Sequence, residues 1–424
     1  MGLLFGLKQF SLNQSRCLRI SIRRHSYQNQ STTPRTSLTT NCYSSVIPYL
    51  SVTQLQLESK VNDFDDVIDV RTPAEYSEDR VPDAVNVPVL DNDQRVMVGT
   101  LYKRNRLEAR REGAALISKN IAGHLENFFR EKPLNYKPLI YCWRGGQRSR
   151  SLAIILKEIG FHPTLLEGGY KEYRKLVRSK LFDESPGSIM NKFKIIKVSG
   201  PTGCGKSLLL ETLEKRGEQI LHLEQLANHK GSVLGQYPGA PQPSQKMFET
   251  LLYQHLETKY TPEKVIWVEN ESSKIGKVII PLGLWRKMLQ SPRIQLNVDL
   301  EDRIQFILKD YDYFCQENSK NYLLNILKDL ERYAGKKKSL LWSNFVENNQ
   351  YKELVTDLIV NYYDLNYKKP LTKPKLTFQV PKSLILQPGN LLNSRLVDDL
   401  LNFGDKSMLC DKEDIIDNEI KLHL

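Results

Sequence analysis

Residues 193–217 read FKIIKVSGPTGCGKSLLLETLEKRG, and this stretch decides the fold of the second half of the chain. The run FKIIKVSG (193–200) predicts a buried β-strand, and LLLETLEKRG (208–217) predicts a helix that ends at a glycine. Between them, GPTGCGKS (200–207) fits G-x-x-x-x-G-K-[ST] in full. Strand, loop and helix stand in the order that a phosphate-binding P-loop requires, so the pattern predicts an α/β domain built on a parallel sheet.

The residue types in GPTGCGKS suit a diphosphate group. Backbone N–H groups from Gly203 to Ser207 would surround the diphosphate at the amino terminus of the helix. Lys206 would neutralise its terminal oxygens, and the Ser207 hydroxyl would bind Mg²⁺. Cys204 is most simply a small residue that the loop tolerates. The pattern does not identify the rest of the ligand, so ATP, GTP and other diphosphate esters stay open. The predicted phosphate-binding residues are Gly200, Gly203, Cys204, Gly205, Lys206 and Ser207.

Three further polar residues of this half are candidates for the site. The apolar run VIWVE (265–269) predicts a second strand, and Glu269 at its end would reach the metal directly or through water. Glu271 is a weaker metal candidate, because exposed acids commonly follow strands. His229 is more simply a surface or core histidine than a catalyst.

In the first half of the chain, a cysteine lies at the end of a predicted strand. VIDV (67–70) and PLIYC (138–142) have the short apolar pattern of buried parallel strands. After Cys142 the chain reads WRGGQRSR (143–150) and then SLAIILKEIG (151–160), which predicts a helix that ends at a glycine. The order is therefore strand, glycine-containing loop and helix.

This loop has the composition of an anion site. Backbone N–H groups and the helix dipole would stabilise a Cys142 thiolate, and Gly145 and Gly146 permit positive φ angles. Arg144 and Arg148 would add positive charge. Such a site suits a thiolate that attacks or carries an anionic group. The alternative is a small buried cysteine at a strand end. The predicted catalytic residues are Cys142, Arg144, Gly145, Gly146 and Arg148.

The first half resembles a rhodanese domain. Residues 69–76 match D-x-R-x-P-x-E-Y, and EGGYKEYR (167–174) matches the glycine turn downstream of the cysteine loop. The resemblance implies that Cys142 carries sulfur as a persulfide. It also implies that Asp69 and Arg71 pack or pair rather than catalyse.

A related alternative is a protein phosphatase loop. Cys142 and Arg148 form a C-x-x-x-x-x-R spacing, and in such phosphatases the arginine clamps a phosphate. Tyr141 stands where those phosphatases have a histidine. Together with the P-loop that follows, this difference favours transfer of sulfur or selenium over phosphatase activity.

The two domains together resemble the family of tRNA 2-selenouridine synthases, over roughly residues 48–370. The motifs that carry the resemblance are CWRGGQRS (142–149), GPTGCGKS (200–207), LANHKGS (226–232), QPSQ (242–245), VENES (268–272) and YYDLNY (362–367). The resemblance implies action on the anticodon loop of tRNA, where the sulfur of 2-thiouridine at the wobble position is replaced by selenium. It implies geranyl diphosphate and selenophosphate as substrates, with an S-geranylated intermediate.

By the same resemblance, the P-loop holds geranyl diphosphate, and Cys142 carries or delivers selenium to C2 of the base. Two other functions stay open. One is a rhodanese-type sulfurtransferase or persulfide carrier that ATP or GTP regulates. The other is a non-catalytic P-loop adaptor, against which the intact Cys142 loop argues. Unstacked RNA bases bind aromatic side chains, and the candidates are Trp143, Tyr170 and Trp285, the last more simply a core residue.

The predicted fold class is α/β, with a rhodanese-like domain followed by a P-loop NTPase-like parallel-sheet domain and a helical C-terminal region. Two basic stretches, Lys274 with Lys277 and the run Lys336–Lys338, either contact tRNA phosphates or are simply solvated. The second run also lies at the predicted carboxyl end of a helix, where cations favour the dipole. The predicted segments are a transit peptide or disordered tail (1–45), the rhodanese-like domain (46–182), a linker (183–192), the P-loop domain (193–300), a helical region packed on it (301–370) and a tail without an assignment (371–424).

The charge of the chain is concentrated at its amino terminus. The 424 residues contain 61 Lys and Arg against 49 Asp and Glu, which gives a net charge of +12. Six basic residues precede Glu58, the first acid, in a segment rich in Ser, Thr, Asn and Gln. That composition predicts import into a mitochondrion or another organelle, and the alternative is a disordered cytosolic tail.

Composition also excludes several classes of protein. Six cysteines without a C-x-x-C motif argue against a disulfide scaffold and against a cysteine zinc site. No apolar run approaches the ~18 residues of a membrane-spanning helix. The oligomeric state stays open.

Overall fold

The computed structural model describes residues 46–53, 63–182, 188–232, 234–237, 239–270, 272–367 and 376–379, together with Leu400. The predicted transit segment, Glu271 and most of the tail after residue 370 lie outside these ranges. None of the helices in the described ranges is long and apolar enough to cross a membrane.

The first half of the described chain forms a five-stranded parallel sheet with the order β1-β5-β4-β2-β3. Its strands are β1 (Tyr49–Leu50), β2 (Asp66–Asp69), β3 (Ala84–Asn86), β4 (Pro138–Tyr141) and β5 (Thr164–Leu166). Along β4, Leu139 and Tyr141 enter one apolar core and Ile140 enters another. Both faces of the sheet are therefore covered, which explains why this strand is apolar throughout.

Within the described ranges, five helices accompany this sheet. They are α1 (Pro73–Glu78), α2 (Asn92–Arg104), α3 (Arg106–Glu126), α4 (Gln147–Glu158) and α5 (Gly169–Phe182). Thr72 and Glu75 form a capping box at the start of α1, and Asp91 and Gln94 form another at the start of α2. These reciprocal hydrogen bonds satisfy N–H groups that the first helical turn leaves unpaired.

The second half forms another five-stranded parallel sheet, with the order β12-β11-β6-β8-β7. Its strands are β6 (Ile195–Ser199), β7 (Gln219–Leu221), β8 (Ile266–Glu269), β11 (Arg293–Asn297) and β12 (Leu376–Gln379). A short antiparallel hairpin of β9 (Lys274–Ile275) and β10 (Val278–Ile279) follows β8. The strand β12 comes from the segment that the sequence left without an assignment, and it forms the edge of this sheet.

Helices of the second half divide into two groups. Those associated with the sheet are α6 (Lys206–Lys215), α7 (Leu223–Leu226), α8 (Gln245–Thr258) and α9 (Leu282–Gln290). Those of the C-terminal region are α10 (Leu300–Asp310), α11 (Glu317–Asp329), α12 (Glu331–Ala334), α13 (Lys336–Glu347), α14 (Tyr351–Leu358) and α15 (Asp364–Tyr367), which enclose their own core around Leu327, Leu330 and Trp342. The predicted fold class is confirmed by the two parallel sheets and the C-terminal helices.

One apolar core runs through both halves. It joins Val177 and Leu181 of α5 to Phe248 of α8 and Met288 of α9. Gly283 lets α9 approach α5, because a Cβ atom there would lie 2.5 Å from the Leu181 carbonyl oxygen.

The described part of the predicted linker belongs to this shared core. Residues Ile189–Lys192 form a short 3-10 helix rather than an extended tether, and the side chains of Ile189 and Met190 are buried. The polar composition of the segment concealed these two apolar contacts.

Candidate active site

Cys142 lies at the carboxyl end of β4, at the base of the loop formed by residues 142–146. Its side chain is 3% exposed. The Gly146 N–H donates a hydrogen bond to the Sγ atom at 3.2 Å, and the Ser149 hydroxyl lies 3.3 Å from the same sulfur. Donors of this kind stabilise a negatively charged sulfur. The structure therefore brings one predicted residue, Gly146, to the sulfur and adds Ser149, which sequence reasoning missed.

Glycines shape this loop. Gly145 has a φ of +66°, in the left-handed region that other residues seldom adopt. Gly169, in the turn after β5, packs so closely that a Cβ atom there would lie 2.3 Å from the Cys142 carbonyl oxygen. That carbonyl accepts the Tyr170 N–H at 2.9 Å. The glycine turn of EGGYKEYR (167–174) therefore supports the cysteine loop from behind.

The two arginines of the loop differ. Arg148 pairs with the Glu75 carboxylate at 2.7 Å, so it joins α4 to α1 and does not stand open to an anion. Burial opposes ionisation of Glu75, but the hydrogen bond and charge of Arg148 outweigh it, and the pKa of Glu75 is lowered. Arg144 is exposed and forms no ion pair with any described residue. The expectation that both arginines add charge to the loop is therefore corrected: Arg144 supplies it, and Arg148 fixes the helix.

A buried polar network underlies the Cys142 loop. The Arg71 guanidinium donates to both carboxylate oxygens of Asp69, and Tyr141 donates to the same carboxylate at 2.9 Å. Burial acts to lower the pKa of Arg71, but the Asp69 carboxylate outweighs it and raises the pKa further above its usual value. The prediction that Asp69 and Arg71 pair is confirmed, and Tyr141 is part of the same support.

The phosphate loop, residues 200–207, joins β6 to α6. Gly203 and Gly205 have φ angles of +82° and +79°, so both positions need glycine. Lys206 Nζ lies 3.3 Å from the Gly200 carbonyl oxygen. Cys204 is 1% exposed and packs against Gly200, where a Cβ atom would come within 2.3 Å of its sulfur. Cys204 thus fills space behind the loop.

An oxygen pair lies beside this loop. The Ser207 hydroxyl is 3.3 Å from Glu269 Oε1, and Glu269, at the end of β8, is 2% exposed. A hydroxyl and a carboxylate are ligands that Mg²⁺ accepts in phosphate sites. No group of three or more His, Cys, Asp or Glu side chains able to hold a metal occurs within the described ranges. Magnesium sites need no such group, because the phosphate and water supply most ligands.

Comparison with known proteins agrees with this pair of loops. Residues 52–176 match the model of the rhodanese-like domain, and residues 193–383 match the model of the tRNA 2-selenouridine synthase AAA domain. A tRNA 2-selenouridine synthase of Marinobacter nauticus is 30% identical over 335 residues, which cover 72% of this chain and 88% of that protein. The chain belongs to the tRNA 2-selenouridine synthase family.

Other relatives of this family match over a shorter region. The tRNA 2-selenouridine synthase of Bdellovibrio bacteriovorus is 34% identical over 253 residues, or 58% of this chain and 64% of that protein. The one of Nitrosomonas europaea is 34% identical over 255 residues, or 58% of this chain and 63% of that protein. The matched region thus spans slightly less than two thirds of these two relatives.

Three of the family motifs meet at the edge that carries the phosphate loop. Because β6, β7 and β8 are parallel, the segments after them share one edge of the sheet. The Gln242 side chain joins these segments: its amide nitrogen donates to the carbonyls of Ala227 and Ile275 at 3.0 and 3.1 Å. Its oxygen accepts the Lys277 N–H at 2.7 Å. The hydrogen bonds of Gln242 therefore hold together three segments: LANHKGS, QPSQ and the residues after VENES.

His229 is an interior residue of that structure. It is 3% exposed, and its ring lies against Gly235 and Gly276, where added Cβ atoms would come within 3.0 and 2.7 Å of ring carbons. Its Nδ1 atom has no hydrogen-bond partner within the described chain. Burial lowers the pKa of His229, so the neutral ring is favoured. Lys274 and Lys277 of the neighbouring segment are exposed.

Arg303 connects the C-terminal region to the phosphate loop. Its Nε donates to the Thr202 carbonyl at 2.8 Å, and its guanidinium binds both carboxylate oxygens of Asp364. Asp364 lies in YYDLNY (362–367), which explains the presence of that motif. Sequence reasoning missed Arg303, because its partners Thr202 and Asp364 are distant in sequence.

An apolar cavity lies between the phosphate loop and the C-terminal helices. Its volume is about 60 Å³. The residues that line the cavity include Thr202, Ile307, Tyr311, Leu354, Leu358 and Tyr363. Burial raises the pKa of Tyr363 to about 12, so this tyrosine is neutral at physiological pH.

The aromatic and basic candidates fare differently. Tyr170 is 2% exposed and donates to Asp79, so it cannot serve as a platform for a base. Trp143 packs on it at 5.3 Å between ring centroids and is half-buried. Trp285 is partly buried against the shared core, as expected. Of the three predicted aromatic side chains, Trp143 is therefore the one that follows Cys142 directly and is still partly exposed to solvent.

The explanation of Lys336–Lys338 by a helix carboxyl terminus is wrong. The preceding helix, α12, ends at Gly335, whose φ is +87°, and the three lysines begin α13 instead. Cations at that end oppose the helix dipole. Lys338 is held by the Asn361 carbonyl at 2.7 Å.

An ion pair joins the two domains. Arg174 of α5 binds the Glu249 carboxylate of α8 and donates to the Lys246 carbonyl at 3.2 Å. Lys246 in turn pairs with Glu78 of α1 at 2.7 Å. The helix that begins behind the Cys142 loop is thus tied to the helix that begins at QPSQ, so both loops belong to one packed unit.

Proposed function

We propose that the chain is a tRNA-modifying transferase that converts 2-thiouridine at the wobble position to 2-selenouridine. Geranyl diphosphate and selenophosphate are its substrates, and an S-geranylated uridine is the intermediate. One observation carries the proposal: a cysteine loop with hydrogen-bond donors to sulfur and a complete phosphate loop belong to two domains that share one apolar core in a member of this family. The two anion sites divide the two steps between them.

The first step is assigned to the phosphate loop. The 2-thio sulfur of the uridine attacks C1 of geranyl diphosphate, the C–O bond breaks, and pyrophosphate leaves with the bonding electrons. The N3 proton of the base passes to water. Negative charge grows on the diphosphate, which Lys206 and the loop N–H groups stabilise. Ser207 and Glu269 would hold Mg²⁺, which supplies further positive charge to the leaving group.

The apolar cavity favours geranyl diphosphate over a nucleotide. It borders Thr202 of the phosphate loop and is lined mainly by aliphatic and aromatic side chains. A hydrocarbon chain gains free energy from such a lining, whereas a ribose would leave its hydroxyls without partners. A ligand with a diphosphate at one end and a branched hydrocarbon at the other matches both neighbouring surfaces.

The second step is assigned to the Cys142 loop. Selenium in selenophosphate is fully reduced, so it can attack C2 of the base directly, and the geranyl thiolate leaves with the electrons of the C–S bond. The Cys142 thiol, the Gly146 N–H, Arg144 and the α4 dipole would bind the selenophosphate anion, so that Cys142 delivers its selenium to C2 of the base. Hydrolysis of the Se–P bond then releases phosphate.

Nucleoside mass spectrometry tests the proposal. Purified full-length chain is incubated with 2-thiouridine-containing tRNA, geranyl diphosphate, selenophosphate and Mg²⁺. The expected products are S-geranyl-2-thiouridine without selenophosphate and 2-selenouridine with it. A chain that binds ATP but not labelled geranyl diphosphate, and transfers only sulfur, would instead be the nucleotide-regulated sulfurtransferase.

A further inference from the structure

A helical arm is inserted into the rhodanese-like domain between β3 and β4. It consists of α2, with 13 residues, and α3, with 21. No residue of α2 is buried, and α2 packs mainly on α3, where Gly113 allows Val98 to approach. At 1.5 Å per residue, α2 is about 20 Å long, so the turn between the two helices lies well away from the start of the arm.

The base of the arm is fixed to the edge of the sheet that carries Cys142. Since β3 and β4 run in the same direction, α2 starts from the edge at which β4 ends. The Asn120 side chain donates to the Val89 carbonyl at 3.0 Å and to Gln94 Oε1 at 2.7 Å. Asn92 accepts the Ala74 N–H at 3.1 Å. The arm is therefore rooted next to the cysteine site.

The turn of the arm is strongly basic. Residues 103–111 read KRNRLEARR, which is five basic residues against one acid, or 5 − 1 = +4 of the chain's net charge of +12. All five basic side chains are exposed, and none forms an ion pair with a residue of the described ranges. Arg106 is the first residue of α3, where a cation faces the positive end of the helix dipole. Helix stability accounts for Lys103 and Arg104, which lie in the last turn of α2, but not for Arg106.

Exposed apolar side chains accompany the charge. Val96, Met97, Tyr102 and Leu107 are between 45% and 68% exposed, although they lie on ordered helices. The Arg106 guanidinium lies 5.7 Å from the centroid of the Tyr102 ring. Guanidinium groups beside an exposed aromatic ring suit RNA, because they bind phosphates while the ring packs on sugar or base.

We propose that this arm, residues 92–126, binds the phosphate backbone of the tRNA substrate and holds it while the wobble base occupies the Cys142 site. The inference rests on the proposed function for the identity of its partner. A folded RNA carries closely spaced phosphates over a distance comparable to the length of α2, which a single loop could not follow. The contacts are to backbone, so they supply affinity and not sequence selectivity.

The experiment measures tRNA binding by the full-length chain as a function of KCl concentration. The test variant combines Lys103→Gln, Arg104→Gln, Arg110→Gln and Arg111→Gln, all at exposed positions, and circular dichroism checks its fold. We expect tRNA affinity to fall by about tenfold or more at physiological salt. The slope of log K against log salt should fall by about one for each lost phosphate contact.

Two controls test the arm specifically. Glu108→Gln removes the one acid of the turn and should strengthen tRNA binding with a steeper salt dependence. Lys215→Gln with Lys328→Gln removes exposed charge from α6 and α11 and should leave tRNA affinity unchanged. Binding of geranyl diphosphate by the arm variant should equal that of the wild type, because the phosphate loop is untouched.

The outcomes separate this inference from the proposed function. If the wild type forms selenouridine while the arm variant keeps full tRNA affinity and the same salt slope, the arm proposal is overturned. It is also overturned if the arm variant loses binding only to phosphatidylserine vesicles. If the wild type binds tRNA through the arm but forms neither modified nucleoside, the arm proposal stands and the proposed function fails.

Discussion

Arg303 binds both carboxylate oxygens of Asp364, at 2.7 and 2.9 Å, while its Nε donates to the Thr202 carbonyl of the phosphate loop. The pair is 61 residues apart in sequence and largely buried. It joins α15 of the C-terminal region to the loop that we propose receives the diphosphate. A planar guanidinium reaches two carboxylate oxygens and a carbonyl through three separate nitrogens, whereas the single nitrogen of an ammonium group lacks this fixed geometry.

We therefore expect Arg303→Lys to weaken geranyl diphosphate binding about tenfold, because the loop loses a fixed support. Asp364→Asn should have a smaller effect in the same direction. Isothermal titration calorimetry measures the affinity. Lys309→Gln, at an exposed position of the same helix, controls for the loss of charge. Unchanged affinity in Arg303→Lys would show that the contact serves only folding.

Ser149 should contribute to the selenium step and not to geranylation. A hydrogen bond to a charged group is worth about 1.5–3 kcal/mol, so Ser149→Ala should slow selenation by roughly tenfold to a hundredfold. Cys142→Ala should abolish selenation and spare geranylation, whereas Lys206→Ala should lose both. Ser151→Ala, whose hydroxyl bonds only within α4, is the matched control. Selenouridine formed at the normal rate by Cys142→Ala would refute the role of the cysteine loop.

The apolar cavity should determine affinity for the hydrocarbon chain alone. Val355→Phe places a larger side chain on the cavity wall, so geranyl diphosphate should bind about tenfold more weakly while inorganic pyrophosphate binds as before. Competition against labelled geranyl diphosphate measures both. Val360→Phe, at a position that is 40% exposed, is the control. Equal losses for both ligands would mean that the substitution disturbs the phosphate loop instead.

His229 should make stability depend on pH. Its folded-state pKa is lowered by burial, so below about pH 6.5 the unfolded chain binds a proton that the folded chain does not. The free energy of unfolding should therefore fall as pH falls from 6.5 towards the folded pKa, by at most about 1.4 kcal/mol per pH unit. Urea unfolding between pH 7 and pH 5 measures it.

His229→Gln should remove this part of the pH dependence. His162→Gln substitutes an exposed histidine and serves as the comparison. A pH profile that is identical in wild type and His229→Gln would refute the assignment to this residue.

Both anion loops could be predicted from sequence, because each is a local strand–loop–helix unit. Gly203, Gly205 and Lys206 lie within a few residues of one another, and their spacing is set by the shape of the loop. The same holds for Cys142 and Gly146. Ser149 was within reach of this reasoning, since it lies on the first turns of the helix that follows the cysteine.

Long-range pairings could not be predicted in the same way. Nothing local indicates that Arg303 meets Asp364, or that Glu75 takes the charge of Arg148. The run Lys336–Lys338 was misplaced because the lysines were assigned to the end of the preceding helix, whereas Gly335 ends that helix and the lysines start the next one. The strand β12 escaped notice because an edge strand of four residues carries little periodicity.

The apolar core that continues from α5 into α8 and α9 limits where the chain can be divided into fragments. Division of the chain between residues 182 and 193 would place Leu181 in one fragment and Met288 in the other. Each residue would then lie on an apolar surface exposed to solvent. Exposed apolar surfaces of this kind favour nonspecific association with other proteins. Separately produced halves would therefore need polar substitutions on both surfaces to remain dispersed in water.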